Sequence, residues 1–136
     1  NHTYSHSGLF PLSCEKMVKQ ELERCNAAIK KSVGLSPRLF RPPFGVSNPI
    51  IGAVIKSLGV ITIGWSIRSL DTMAGKSRST ICQRVKERLH NGAIILLHDR
   101  CVKADELLKD IIETILENNY SFITLDKMLK INPYEK

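Results

Sequence analysis

His2 and His6 stand four residues apart, Arg41 precedes a pair of prolines, Asp71 lies in a polar stretch, and His98-Asp99 follows the apolar residues 94–97. Two histidines at i and i+4 share one face of a helical turn, the spacing of paired imidazole ligands to a metal. Thr3 stands where the metalloprotease helix pattern carries glutamate, so no general base is built into that turn. The same spacing suits two solvent-exposed histidines on a frayed segment. His98 emerges from an apolar run, a place where an imidazole suits proton transfer; a hydrogen-bonded core histidine fits equally. Asp71 either orients His98 and stabilises its protonated form or caps a turn. Arg41 either pins a carboxylate or makes a surface ion pair. His90 ends a basic helix, where a contact with the helix dipole is its expected role.

Positioning these residues requires an alternation of strands and helices. Ser13 is the expected N-cap of a long amphipathic helix whose buried stripe is Met17, Leu22, Cys25, Ala28 and Ile29 and whose stop is Gly34. Residues 37–40 are extended and close on Arg41-Pro42-Pro43. Asn48-Pro49 opens a helix to about Leu58, with Gly59 ending it. Residues 60–67 form a β-branched strand, 69–76 a loop, and 80–89 a basic amphipathic helix closed by Asn91-Gly92. A strand follows at 93–97, a helix at 105–117, a last strand at 121–125 and a helical turn at 126–129. Short apolar strands alternating with helices predict an α/β fold with four parallel strands and outer helices. In such folds the working residues sit at the carboxyl ends of strands. Arg41, Asp71 and His98 follow expected strands, and His2 and His6 lie where an earlier strand would end, so all are expected at one mouth. Four strands do not close a barrel. Either the sheet is open and covered, or further strands belong to it.

Composition narrows the function classes. The 136 residues are 43% hydrophobic and 24% charged, ordinary globular usage that fits one domain. No apolar run is long enough to span a bilayer. Twenty Lys+Arg against thirteen Asp+Glu give a net charge of +7, but the cations are scattered and no basic run alternates with aromatics, so a nucleic-acid partner is not expected. Cys14, Cys25, Cys82 and Cys101 form no CxxC pair and read as free or buried thiols. The sequence opens with neither Met nor a signal peptide, the expected mark of an N-terminally truncated domain.

Four stretches in order carry a resemblance: His2-Thr3-Tyr4-Ser5-His6, Arg41-Pro42-Pro43-Phe44-Gly45, the segment from Trp65 to Asp71, and Ile95-Leu96-Leu97-His98-Asp99. They resemble the second to fifth motifs of the polysaccharide deacetylase domain, the NodB-homology domain of carbohydrate esterase family 4. The resemblance covers nearly the whole chain. It implies a partial (β/α) barrel of the NodB type and a hydrolase that removes N-acetyl groups from an amino-sugar polysaccharide or oligosaccharide. It also implies a divalent metal, zinc first with cobalt or nickel as alternatives, and a cell-envelope or extracellular setting.

By the same resemblance His2 and His6 are metal ligands and Arg41 orients the catalytic carboxylate. The Phe44 N–H helps bind the oxyanion, Leu96 lines the acetyl pocket, and Trp65 contributes to substrate binding. Asp71 tunes His98, which protonates the leaving amine. The family's first motif, TFDDGP, would precede Asn1; its aspartates supply the general base and the third ligand, and nothing else in the chain matches them. Thr72 stands in place of the family's tryptophan and Arg68 in place of its earlier aspartate. The expectation is therefore a deacetylase whose 136-residue chain is by itself inactive, with a carbohydrate-binding or structural module as the alternative. An incomplete sheet is expected to self-associate or to pair with the missing N-terminal segment.

Overall fold

The computed structural model describes residues 1–135, which fall into two units: Asn1–Gly64 with the C-terminal residues from Leu129, and Trp65–Met128. The elements run α1 (Glu15–Val33), β1 (Ser36–Pro37), β2 (Leu39–Phe40), α2 (Pro49–Ser57), β3 (Ile61–Thr62), β4 (Ile67–Arg68), α3 (Arg78–Lys86), β5 (Ile95–Leu96), α4 (Ala104–Glu117), α5 (Leu125–Leu129) and β6 (Tyr134–Glu135). Single 3₁₀ turns lie at Phe10–Leu12 and Pro43–Gly45.

In the first unit, α1 ends at Gly34, whose φ of 74° lets its N–H return to the Lys30 carbonyl, a left-handed cap that a side chain would strain. Its inner stripe is Val18, Leu22, Cys25 and Ile29, spaced four, three and four. Met17 and Ala28, expected inside, are exposed, because each lies one residue off that stripe. The cap itself is Cys14 rather than Ser13, and it contributes no side-chain hydrogen bond. Asn48 caps α2 as expected: its side chain accepts the Ile51 N–H at 2.9 Å and donates to the Pro11 carbonyl at 2.8 Å. Phe10, Val18, Leu22, Phe40, Ile51 and Val54 form the core between α1, α2 and β2. There β2 and β3 pair in parallel, while β1 and β6 pair antiparallel.

In the second unit β4 and β5 pair in parallel, Ile67 opposite Ile95 and Arg68 opposite Leu96. α3 and α4 pack together over them, burying Ile67, Ile81, Val85, Leu107, Ile111 and Ile115. Arg78 of α3 ties the two helices at their edge through Glu106 and Asp110. No helix among the described residues is long and apolar enough to cross a membrane.

The α/β class is as expected, with parallel pairs and helices, but two strands differ. The single strand expected at 60–67 is two, because its halves serve different partners: Ile61 and Ile63 donate to Arg38 and Phe40, whereas Ser66 and Ile67 donate to Ile94. Apolar patterning cannot register such a change of partner. The strand expected at 121–125 does not form. Residues 120–124 take no regular structure, and Phe122 and Ile123 are 59% and 60% exposed. Strand propensity expresses packing against neighbours, and here no neighbour pairs.

Ile111 is 2% exposed at the centre of the second core. Truncation to alanine is expected to cost about 2–5 kcal/mol, read as a lowered midpoint of urea unfolding. Ile112→Ala, on the outer side of the same helix, is expected to cost much less.

Candidate functional site

Asn1 lies along β2 as a strand would: its N donates to the Leu39 carbonyl at 2.8 Å and its carbonyl accepts the Arg41 N–H at 2.9 Å. Its side chain donates to the Leu22 carbonyl and to Asn26 of α1. This grip places His2 beside Arg41, whose carbonyl takes the His2 Nδ1 proton at 2.6 Å. The chain then turns through positive φ at Thr3 (66°) and His6 (50°). Glu21 of α1 holds the turn, accepting from the N–H groups of Tyr4 and Ser5 and from the Ser5 hydroxyl, and Arg24 lies 4.1 Å from the Tyr4 ring centroid. Burial pushes the Glu21 carboxyl up, but these hydrogen bonds outweigh it and hold the group below its ordinary value.

The helical turn expected for His2 and His6 is therefore absent, yet the rings meet, their centroids 4.8 Å apart. Phe44, at φ 59° and exposed, sets its ring edge-on to His6 at 5.1 Å. Burial lowers the His2 pKa, and the neighbouring His6 and Arg41 charges add to that against the opposing hydrogen bond to the Arg41 carbonyl. A neutral imidazole with Nδ1 committed to a carbonyl presents Nε2 outward, the arrangement that suits a metal ligand. The pair fits two positions of a metal's ligand set. Among the described residues no third His, Cys, Asp or Glu joins them, whereas hydrolytic zinc sites use three protein ligands. The Arg41 guanidinium donates to the carbonyls of Ile63 and Gly64 at 3.4 and 3.3 Å rather than to a carboxylate.

The second unit brings Asp71 and His98 together. β4 leads into Ser69, fully buried, and Leu70, which sits at φ 66°. A leucine in the left-handed region costs about 1–2 kcal/mol, and the turn it makes aims Asp71 at the end of β5. The carboxylate, with a side chain only 2% exposed, is met on both oxygens. Oδ1 accepts from the His98 ring Nδ1 and the Ser69 hydroxyl, each at 2.9 Å, and Oδ2 accepts the His98 main-chain N–H at 2.6 Å. Burial raises the Asp71 pKa, but the His98 ring and main-chain hydrogen bonds and the Ser69 hydroxyl hold it below the ordinary carboxylate value. With Nδ1 so engaged, Nε2 of His98 is the nitrogen free to exchange a proton.

Cys101 closes the far side, its thiol 3.6 Å from the Asp71 carbonyl oxygen, and burial with the Asp71 charge pushes that thiol up. Leu96 on β5 and Trp65 are half-buried. Ser69, Leu70, Glu21 and Asn1 do not stand out in the sequence. The only available signal is a serine two residues before an aspartate, a common turn pattern.

A family model described as polysaccharide deacetylase matches residues 1–63. The peptidoglycan-N-acetylmuramic acid deacetylase PdaA of Bacillus subtilis is 28% identical over 132 residues, 95% of this chain and 50% of its own length. A family 4 carbohydrate esterase from Streptomyces lividans, solved with acetate, superposes with a TM-score of 0.82 at 26% identity, covering 100% of this chain and 68% of its own. A CE4 family pseudoenzyme from Bacillus anthracis gives 0.82 at 26%, covering 95% and 45%. The chain thus carries the α/β fold of these proteins, and it spans about half or less of the length of the curated relatives it matches.

A lowered carboxyl pKa contributes stability that is complete above the unfolded value, about 4, and is lost as pH falls through the folded value. Asp71→Asn is expected to lower stability at neutral pH by about 1–3 kcal/mol and to flatten its decline below about pH 4. Urea unfolding of both proteins across that range checks this.

Proposed function

Since this chain is related to the polysaccharide deacetylases of carbohydrate esterase family 4, we propose that it carries part of a hydrolase that removes N-acetyl groups from an amino-sugar polysaccharide. The observation that supports this most is the Asp71–His98 pair, a half-exposed imidazole anchored on a buried, fully hydrogen-bonded carboxylate. In the reaction a water oxygen bonds to the acetyl carbon as the water gives up a proton to a carboxylate base, the carbon–nitrogen bond breaks, and the nitrogen takes a proton to leave as an amine. His98 supplies that proton from Nε2. Asp71 holds Nδ1–H, so the ring keeps one orientation throughout.

The remaining roles follow the family motifs. Arg41 orients the catalytic carboxylate, the Phe44 N–H receives the developing oxyanion, and Leu96 and Trp65 flank the acetyl group. His2 and His6 would hold two positions of a divalent metal, zinc first, which when bound polarises the carbonyl and acidifies water. A second reading, a glycan-binding module without turnover, is favoured by one observation: only two imidazoles gather, with no third ligand among the described residues. A partner is also proposed. Phe122 and Ile123, exposed on an unpaired segment beside α4, suit association with a second copy or a complementary segment.

The 136-residue chain is expected to bind an acetylated chito-oligosaccharide and to retain Zn²⁺ weakly. Its acetate release should fall short of a complete deacetylase by about 10²–10⁴, the usual value of a general base. In calorimetry His2→Ala should abolish Zn²⁺ binding and His98→Ala should leave it unchanged. Loss of metal on His98→Ala would overturn these roles. Robust metal-dependent release would show that another carboxylate serves as base, and absence of both glycan and metal binding would overturn the reading as a whole. Light scattering should show mass rising with concentration; a monomer at every concentration would refute self-association.

A further inference from the structure

Three of the cations that are scattered in the sequence come together on the second unit. Lys76, Arg84 and Arg88 line one open cleft of about 620 Å³ between α3 and the Ser69–Leu70 turn. Arg84 and Arg88 are four residues apart and share a face, because the turn continues past α3 with the Arg88 N–H on the Val85 carbonyl. Arg84 is fixed by its Nε, which donates to the Arg68 carbonyl at 2.8 Å, leaving its terminal nitrogens to the cleft.

Neutralisation differs along this helix. Arg78 is paired with Glu106 and Asp110, outside the cleft. Among the described residues Lys76 and Arg84 have no carboxylate within 4.0 Å. The one acid of the cleft is Glu87, which lies 3.9 Å from Arg88 and accepts from Gln83 at 3.0 Å. Three cations against one acid leave the cleft positive.

We propose that this cleft binds an anionic group of a glycan, a carboxylate or a phosphate, apart from the acetamido chemistry proposed above. That the anion belongs to a glycan rests on the polysaccharide reading above; the lining itself disfavours single-stranded nucleic acid. It contains no aromatic side chain on which a base could stack. Thr80 and Gln83 also line it, the Thr80 hydroxyl 2.8 Å from the Ser77 hydroxyl and the Gln83 amide nitrogen donating to Glu87, which leaves the Gln83 carbonyl oxygen for a sugar hydroxyl. Arginine forks match carboxylate and phosphate oxygens alike.

Calorimetric titration of the full chain tests this with three probes: a galacturonate oligosaccharide, a phosphorylated mannan oligosaccharide and a single-stranded oligonucleotide of equal charge. One of the two non-nucleic probes should bind, and which of them binds more tightly identifies the anion. Lys76→Gln/Arg84→Gln/Arg88→Gln should weaken that binding by about 10-fold or more and reduce its salt dependence. Lys16→Gln/Lys30→Gln/Lys31→Gln removes equal charge from α1 and should change it by less than about 2-fold. Because Arg84 supports Arg68, Lys76→Gln/Arg88→Gln is a second variant that keeps this bond, with circular dichroism confirming its fold. Equal losses in the cleft and α1 variants would overturn the proposal, as would failure of both carboxylate and phosphate probes, or tighter oligonucleotide binding through the same cations. Acetate release plays no part in the readout, so this proposal and the deacetylase reading can fail separately.

Discussion

A parallel pair only two residues long cannot stand on its own hydrogen bonds. Leu39–Phe40 on Ile61–Thr62 and Ile67–Arg68 on Ile95–Leu96 each hold because helices bury the side chains that flank them. That dependence accounts for the helix faces. Val18 and Leu22 with Ile51 and Val54 enclose Phe40 in one unit, and Val85 with Ile111 and Ile115 enclose Ile67 in the other. The polar residues at the strand ends inherit their positions from this packing: Arg41 directly follows Phe40, and Asp71 is one turn beyond Arg68. The placement of these polar residues therefore rests on aliphatic contacts.

How much can be read from sequence follows from which interactions are local. The α2 cap at Asn48-Pro49 and the stop at Gly34 are written within a few residues, and both are found where their signals stand. The expected stripe of α1 falls one residue off at Met17 and Ala28, because several apolar residues compete for the inner face and only packing decides among them. The strand at 121–125 has suitable residues but no partner, and pairing is not a property of a segment. Spacing leaves His2 and His6 open between paired ligands and two exposed histidines; both are exposed, and a left-handed turn pinned by Glu21, not a helix, brings the rings together. Asp71 and His98 stand out by their places after strands and by the motif resemblance. The serine and the strained leucine that aim the carboxylate are invisible, since a backbone at positive φ leaves no mark when the residue is not glycine.

Charge behaves in the same way. Along the chain Lys76, Arg84 and Arg88 belong to a loop, a helix and the turn beyond it, and no run marks them. Folding gathers them while Arg78, on the same helix, is consumed by Glu106 and Asp110. Net charge alone is silent on which cations remain available; the distribution of acids on the neighbouring helix decides it.

The amide of His98 is tied to a carboxylate rather than to a carbonyl of the sheet, at 2.6 Å. Its hydrogen exchange with solvent is therefore coupled to the charge on Asp71 as well as to the opening of β5. In a nuclear magnetic resonance spectrum such an amide proton resonates far downfield and moves when its acceptor is protonated. The fold thus contains a built-in spectroscopic reporter of the imidazole's anchorage, observable without substrate, metal or turnover.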